Sequence, residues 1–466
     1  MSAAVTLSSR QGRGILITTV LGSGMVFLDG TVATVATKTI GKDFNASFGA
    51  LQWVLTGYTL PLASLILVGG SLGDRFGRRR TFLVGVVWFA AASALCALAP
   101  GIETLVAARV LQGVGGALLT PGSLAIIQAS FGRDDAARAV GAWAGLSGVT
   151  TAVGPVLGGF LVQDVSWRWA FAINVPLAVA VVATGLLWVP ESSAPHAVSR
   201  PDVFGIAVVI CGLGALTYGP IDAGSNGWSA RSIAVTIAGI VLLGAFVAVE
   251  RRAADPLVPL GIFADRTFSG ANIMTFMTYG ALSVMSFVLV VQLQVSAGYG
   301  ALAAGIATLP VTVVLLVLSS RSGALAARIG PRLQMTVGPL LVAAGMALTT
   351  RIDAHHRAYL PDVLPGVLVF AFGLAALVAP LTATVMASVP AEEVGIASGV
   401  NNAVARAAGL LAISVLPAFA GLSGDAYRSA DAMTHGFRIV VLLCVVMLVL
   451  GAGAVVATVR TNLRAA

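Results

Sequence analysis

Fourteen long apolar runs, separated by short segments that hold most of the charged residues, divide this sequence. Each run is close to the roughly 20 residues that an α-helix needs to cross a bilayer. Helices satisfy their backbone hydrogen bonds internally, whereas the period-two alternation of a membrane β-barrel is absent. The runs therefore predict an all-α integral membrane protein with 14 transmembrane helices. We place them at 14–37, 48–72, 81–99, 104–128, 137–161, 169–189, 203–221, 232–249, 268–294, 302–320, 333–350, 361–386, 394–418 and 437–458.

Charge supports the same reading. Only 10% of the residues are charged, against about 25% in soluble domains, so the chain lacks the polar residues to cover a surface in water. The net charge of +8 lies in short loops and forms no basic stripe, which argues against a nucleic-acid partner. With both termini inside, about 17 of the 27 Lys and Arg residues face the cytoplasm, as the positive-inside rule requires. We expect a multi-pass protein of the bacterial inner (plasma) membrane with both termini cytoplasmic.

No motif for catalysis or for a cofactor is visible. Cys96, Cys211 and Cys444 all fall inside apolar runs, where they are expected to be small hydrophobic residues and not a metal or disulfide framework. His355 and His356 lie in an outer loop and predict no metal site. A nucleotide-binding loop is also absent. The sequence therefore predicts a protein that is no enzyme and needs no cofactor, with an ion gradient as its energy source.

An internal repeat divides the chain into two halves. The segment 70–78 recurs as 323–331, with an offset of 253 residues between Gly70 and Gly323. Parallel six-helix halves with substrate between them are a common design of secondary transporters. We expect an N-terminal six-helix bundle over 1–190, a two-helix insertion over 191–260 and a C-terminal six-helix bundle over 261–466.

The loop between the second and third spans carries the most specific motif. It reads Gly-Ser-Leu-Gly-Asp-Arg-Phe-Gly-Arg, and it resembles the signature loop of the major facilitator superfamily at every defined position. The resemblance implies the fold of that superfamily and a gating role for this loop at the cytoplasmic side. The side chain of its acid could lie against a helix N-terminus. The gating residues that it implies are Gly70, Asp74, Arg75, Gly77 and Arg78.

The fifth span contains Gly154-Pro155 followed by Gly158-Gly159, which resembles the motif that marks exporters within the superfamily. Gly154 and Gly158 are spaced so that another helix can approach closely. Pro155 frees a backbone carbonyl and bends the span. The resemblance implies export and not uptake.

The first span carries the only carboxylate that lies well inside an apolar run, Asp29. Its surroundings resemble the first span of the fourteen-span drug:proton antiporter family, but Thr34, Thr37 and Lys38 depart from that pattern and leave the substrate class open. Arg109, in a segment that resembles the family's fourth-span motif, falls at a similar depth. A charge inside the membrane needs a partner or water. The two residues are a candidate proton-coupling pair, and a purely structural ion pair is the alternative.

A substrate cavity would need apolar residues with a few polar anchors. Arg406 lies near the middle of the thirteenth span. Asn401, Asn402 or backbone carbonyls must bond to its guanidinium, or the guanidinium must face a cavity, so its role can be structural or functional. The other candidates could likewise line a cavity or pack helix against helix. The cavity candidates are Met25, Gln52, Trp53, Tyr58, Gln112, Asn272, Phe276, Tyr279 and Arg406.

Together these features predict a proton-coupled secondary transporter that exports small lipophilic molecules, such as drugs, antibiotics or secondary metabolites, by alternating access. The expected partners are the lipophilic substrate, protons and the lipid bilayer, and we expect the protein to work as a monomer. An importer of a small metabolite on the same fold is one alternative. An antiporter-like subunit of a redox-driven proton pump is another, although no lysine lies inside a span to form its relay.

Overall fold

The protein is described from a computed structural model that covers residues 5–193, 202–253, 256, 258–390 and 393–459. Apart from one isolated bridge between Val5 and Phe131, the regular elements in these ranges are helices. Each of the fourteen predicted spans coincides with helix. Thirteen of the helical segments in these ranges are long and apolar enough to cross a membrane. The remaining predicted span, 333–350, coincides with the helix Pro331–Thr349, in which Arg332 and Gln334 near the start lower the mean hydropathy.

The chain divides into two compact units, residues 1–46 with 53–210 and residues 47–52 with 211–466. The helices of the first unit are α1 (Arg10–Asp43), α2 (Phe48–Phe76), α3 (Arg78–Ala97), α4 (Ile102–Ser130), α5 (Arg133–Phe160), α6 (Trp169–Ala172) and α7 (Asn174–Trp188). The first turn of α2 belongs to the second unit, and the first unit ends within the helix that follows α7. The helices of the second unit are α8 (Val203–Asn226), α9 (Ala230–Glu250), α10 (Arg266–Val295), α11 (Ala301–Ala307), α12 (Leu309–Ile329), α13 (Pro331–Thr349), α14 (Leu364–Ala387), α15 (Val394–Phe419) and α16 (Ala430–Thr458).

Two predicted spans are interrupted by proline. The sixth is split at Ile173 into α6 and α7, and the tenth is split at Thr308 into α11 and α12. Pro176 and Pro310 follow the breaks within two or three residues. A proline has no N–H to donate to the carbonyl four residues earlier, so the regular helix ends there. The sixth-span break places Asn174 at the first position of α7.

The internal repeat is visible in the backbone of both units. Gly77 and Gly330, which are 253 residues apart, separate α2 from α3 and α12 from α13 with φ values of +103° and +85°. Such positive φ angles favour glycine, because an L side chain at this position would be strained. The repeated glycine therefore ends one helix and starts the next in each unit.

The same repeat governs helix packing within each unit. A Cβ atom on Gly85 of α3 would lie 2.8 Å from the Leu119 nitrogen of α4. A Cβ atom on Gly338 of α13 would lie 3.2 Å from the Leu377 nitrogen of α14. These contacts are tighter than ordinary packing, so both helix pairs depend on the missing side chain. The close approach fixes α4, which carries Arg109, against α3.

Candidate functional site

The predicted pair is formed in the first unit. Asp29 of α1 and Arg109 of α4 are each only 1% exposed, and the Arg109 Nη1 atom donates to the Asp29 Oδ2 atom. The two residues are separated by 80 positions in the chain, so the contact depends on the packing of α1 against α4. The sequence prediction that these residues lie close together agrees with this geometry. Their role in proton coupling stays a prediction.

Three further polar side chains complete the network around Asp29. Gln112 of α4 donates from Nε2 to the Asp29 Oδ1 atom and to the Ser93 Oγ atom, each at 2.7 Å. Asn174 donates from Nδ2 to the same two atoms, at 3.2 and 3.3 Å. The Asn174 Oδ1 atom is buried and has no hydrogen-bond partner among the described residues. The Asp29 carboxylate thus accepts hydrogen bonds from the side chains of Arg109, Gln112 and Asn174.

Arg109 is held from all sides. Its Nε atom donates to the Val54 carbonyl at 2.9 Å, and its Nη1 atom also donates to the Gln112 Oε1 atom at 2.6 Å. The guanidinium lies 4.4 Å from the ring centroid of Tyr58 and 5.5 Å from that of Phe171, which adds cation–π contacts. A buried pair of this kind is costly to break, because removal of one partner leaves an uncompensated charge at a cost of about 3–5 kcal/mol.

The sequence prediction was incomplete here. Ser93 and Asn174 were not predicted, since one hydroxyl and one amide in apolar helices carry no distinctive pattern. Gln112 was predicted as a cavity residue, but it is fully buried and bonded to both members of the pair. The spacing of Arg109 and Gln112, three residues apart on one helix face, was the available signal.

The gating-loop motif forms a compact junction in the same unit. Arg78 donates from Nε to the Asp74 Oδ1 atom at 2.9 Å, and the pair is also an ion pair at 2.7 Å. Gly70 lies next to Pro121 of α4. Arg75, at the end of α2, places its guanidinium 5.1 Å from the Phe76 ring. Asp74 thus pairs with its own motif.

An acid outside the motif caps α3 in place of Asp74. Glu191, three residues after the end of α7, accepts from the backbone nitrogens of Arg79 at 3.0 Å and Arg80 at 3.1 Å. A Cβ atom on Gly77 would lie 2.7 Å from the Glu191 carboxyl. A carboxylate satisfies the free N–H groups at a helix start and complements the helix dipole. The short-range motif gave no signal for Glu191, which comes from the segment after α7.

The exporter motif lies where α5 crosses α1. A Cβ atom on Gly154 would lie 2.0 Å from the Thr31 Oγ1 atom, and one on Gly158 would lie 3.0 Å from the Val32 Cα atom. Pro155 stands between them within α5, and Gly159 is buried. The helix then ends in a π-helical turn, Leu161–Val165. The motif thus packs against the turn of α1 that follows Asp29.

Several cavity candidates are packing residues. Met25 and Tyr58 belong to the hydrophobic core of the first unit. In the second unit Gln52 donates to the Ile413 carbonyl at 2.6 Å, and Asn272 accepts from Asn401 at 3.1 Å. Trp53, Phe276, Tyr279 and Arg406 are half-buried.

The loop between α13 and α14 has its own polar cluster. Asp353 accepts from the backbone nitrogens of His355 at 2.9 Å and His356 at 2.8 Å, and from Arg438 at 3.4 Å. The hydrogen bond from the His356 backbone is the largest cause of the lowered pKa of Asp353. Among the described residues no group of three metal-binding side chains is found, so this cluster is a loop clamp.

Comparison with known proteins gives one family. A sequence profile of the Major Facilitator Superfamily matches residues 19–413. The chain is 34% identical over 403 residues to the tetracenomycin C resistance and export protein of Streptomyces glaucescens, covering 86% of this chain and 74% of that protein. It is 33% identical over 443 residues to the puromycin resistance protein pur8 of Streptomyces alboniger, covering 92% and 87%. It is 35% identical over 390 residues to the multidrug resistance protein Stp of Mycobacterium tuberculosis, covering 83% and 72%.

Solved structures support the fold. The chain is similar to a bacterial homolog of the human lysosomal transporter Spinster, with a TM-score of 0.68, 16% identity and coverage of 97% of this chain and 98% of that one. It is also similar to a peptide transporter, with a TM-score of 0.70, 14% identity and coverage of 100% and 98%. At such identities the likeness concerns the fold alone.

Proposed function

The chain belongs to the Major Facilitator Superfamily, and we propose that it exports small lipophilic molecules from a bacterial cell in exchange for protons. It is a multi-pass membrane transporter and not an enzyme. The family match sets aside the alternative of a redox-pump subunit. Relatives named for antibiotic resistance, export or multidrug resistance support efflux over uptake. We further propose the inner membrane as its location, cytoplasmic termini, two six-helix halves with an inserted helix pair, and function as a monomer without a cofactor.

The observation that carries the coupling proposal is the buried network around Asp29. Asp29 is the only described carboxylate deep within a span, and it and Arg109 are buried in a network with four further polar groups, which are Gln112, Asn174, Ser93 and the Val54 carbonyl. Placing such groups in a membrane is costly, which favours a functional role. When Asp29 binds a proton its charge disappears, and the attraction between α1 and α4 weakens. Proton binding would thereby change how α1 packs against the exporter motif of α5.

The available energy fits this task. One charge that moves through 100 mV releases about 2.3 kcal/mol, and about 1.4 kcal/mol corresponds to a tenfold concentration ratio. One proton exchanged for a neutral molecule could thus sustain roughly a 40-fold gradient of that molecule. The gating loop at Asp74 and Arg78 would alternate access by making and releasing the contacts of its junction.

The test is reconstituted flux of lipophilic dyes of both charges, such as ethidium, which is a cation, and fluorescein, which is an anion. We expect Asp29→Asn to abolish uphill export driven by a pH gradient, because an amide does not carry a proton. Downhill exchange of dye for dye should persist, since it requires no proton to cycle. Asp43→Asn is the matched control, because Asp43 lies at the end of the same helix. Uphill export by Asp29→Asn at the wild-type rate would place the coupling proton elsewhere.

A second pair of variants separates coupling from stability. Arg109→Gln should lower the stability of the protein by about 3–5 kcal/mol, because Asp29 keeps a buried charge without its partner. The double variant Asp29→Asn/Arg109→Gln should recover part of that loss. If the double variant is more stable than Arg109→Gln and still fails to export uphill, the loss of export reflects coupling and not misfolding. Net accumulation of dye inside right-side-out vesicles would instead support the importer alternative.

A further inference from the structure

Arg406 of the second unit lies inside a span and has no charged partner among the described residues. Arg406 is at the thirteenth of the 26 positions of α15, close to the middle of the span. Unlike Arg109, it makes no ion pair or hydrogen bond to any residue that the structure describes. An unpaired arginine at this depth costs about 2.5 kcal/mol or more. The fold around it does not offset that cost, so the charge requires another explanation.

Two further polar groups at the same level also lack partners within the described ranges. Asn402 precedes Arg406 by one helical turn, so the two side chains share a face of α15, and Asn402 is exposed. The Tyr279 hydroxyl of α10 makes no hydrogen bond in the described residues, and Tyr279 interacts electrostatically with Arg406. Three polar groups without partners are unfavourable against lipid. Their shared face is therefore expected to contact water or a ligand.

The neighbouring polar residues serve a different purpose. Asn401 donates to the Thr275 hydroxyl at 2.7 Å and to Asn272 at 3.1 Å, which joins α15 to α10. Gly409 packs on Ser283 about two turns further along each helix, so the two helices run parallel in contact. These contacts hold the backbones on either side of Arg406 and Tyr279. The guanidinium and the phenol are consequently carried on a fixed pair of helices.

We propose that Arg406, with Tyr279 and Asn402, binds an acidic oxygen group of the exported molecule, a carboxylate or an ionised phenol on a lipophilic skeleton. A guanidinium presents a planar fork of donors that matches a carboxylate with two parallel hydrogen bonds. The Tyr279 hydroxyl and the Asn402 amide add further donors. The skeleton would lie against the small apolar side chains around Arg406, such as Ala403 and Ala407.

Charge balance in the spans favours an acid over a cation. Asp29 is already neutralised by Arg109, and the other described acidic residues lie at helix ends or in loops. A cationic molecule would therefore find no unpaired carboxylate deep in the described spans. An anionic molecule would find Arg406. This proposal rests on the proposed export function, because it takes the bound acid to be the molecule that is transported.

The test uses three naphthalene probes of similar size, which are 1-naphthoate, 1-naphthamide and 1-naphthylmethylammonium. Binding to the purified protein in lipid nanodiscs is measured by equilibrium dialysis at pH 7.5, with empty nanodiscs as the blank. We expect the wild type to prefer naphthoate over naphthamide by about tenfold or more, the usual contribution of a hydrogen bond to a charged group. Arg406→Gln should reduce that preference to about one.

Two milder variants keep the result interpretable if Arg406→Gln folds poorly. Arg406→Lys retains the charge but loses the fork, and Tyr279→Phe removes only a hydroxyl, so each should lower the preference several-fold. Arg351→Gln is the matched control, because Arg351 is an exposed outer-loop arginine, and it should leave the preference unchanged. Equal binding of naphthoate and naphthamide by the wild type, preference for the ammonium probe, or an unchanged preference in all three site variants would overturn the proposal.

Dye export by the same purified protein, reconstituted into closed lipid vesicles, tests transport separately. A wild type that binds naphthoate through Arg406 but moves neither the cationic nor the anionic dye would reject the export function and retain the acid-binding site. A wild type that exports dyes but shows no dependence on Arg406 in naphthoate binding would retain export and reject this inference. If 10 mM chloride or phosphate abolished the binding of naphthoate, the site would be one for simple anions. That result would count against a lipophilic acid as the ligand.

Discussion

The contact between α5 and α1 gives the sharpest quantitative prediction. A Cβ atom on Gly158 would lie 2.9, 3.0 and 3.1 Å from the Cγ1, Cα and Cβ atoms of Val32. Carbon atoms pack best at about 3.5–4.0 Å, so the helices would have to separate by about half an ångström or more. One of the three contacts is with backbone, and rotation of a side chain cannot relieve it.

The magnitude follows from two opposing terms. Overpacking of a tight contact costs about 1–3 kcal/mol, while alanine is favoured over glycine within a helix by roughly 0.5–1 kcal/mol. Gly145, in the same helix, is exposed and has no atom within 4 Å of a Cβ position. Gly145→Ala therefore receives only the helix term. Because that term cancels between the two variants, Gly158→Ala should be less stable than Gly145→Ala by about 1–3 kcal/mol.

The assay compares thermal unfolding of the two variants in identical detergent, together with dye export from vesicles. Gly158→Ala should unfold at a lower temperature than the wild type, and Gly145→Ala at the same or a higher temperature. Gly158→Leu should abolish export, since a larger side chain cannot be accommodated. Equal unfolding temperatures for the two alanine variants, or normal export by Gly158→Leu, would mean that α5 does not pack on α1 at this point.

Three further outcomes are expected. Asp74→Asn should reduce export while the protein still inserts and expresses, and Glu191→Gln should do the same through a weaker cap on α3; wild-type flux in both variants would exclude a role for this junction. Reporters fused to either terminus or placed in 190–202, most of which lies outside the described residues, should indicate the cytoplasm, and an outer signal would reject the topology. The Asp353 clamp, whose pKa is lowered in the folded protein, should protect the His355 and His356 amides from hydrogen exchange at neutral pH and release them only as the pH falls through that lowered pKa, which lies below the usual range of an aspartate. Asp353→Ala should exchange rapidly at pH 7, and pH-independent protection would refute the clamp.

The helices could be predicted from the sequence because apolar runs of membrane length have few alternatives. Their ends could not be predicted as closely. The predicted tenth span stops at 320, but α12 continues to Ile329 and passes Arg321 and Arg328. Charged residues at the membrane surface extend a helix without adding to its apolar length. Helix ends are set by capping groups and by glycines such as Gly330, which a hydropathy pattern does not register.

The site was predictable only in its charged members. Asp29 and Arg109 stand out because an ionisable group inside an apolar run is rare and costly. Asn174 and Ser93 are ordinary in composition. Asn174 reaches Asp29 because α7 packs beside α1, and Ser93 of α3 joins the network only through Gln112 and Asn174. Glu191 reaches α3 from more than 110 positions away. Contacts of this range depend on the packed fold and leave no local pattern in the sequence.

The separation of Asp29 and Arg109 along the chain has a consequence for biogenesis. Asp29 enters the membrane with the first span, and its partner arrives 80 residues later. At a synthesis rate of about 5–20 residues per second, Asp29 waits roughly 4–16 s before Arg109 emerges. During that interval the first span must remain inserted despite a carboxylate that costs about 2.5–3.5 kcal/mol at mid-membrane. The long apolar flanks of α1 on both sides of Asp29 are therefore required for insertion before they are required for transport.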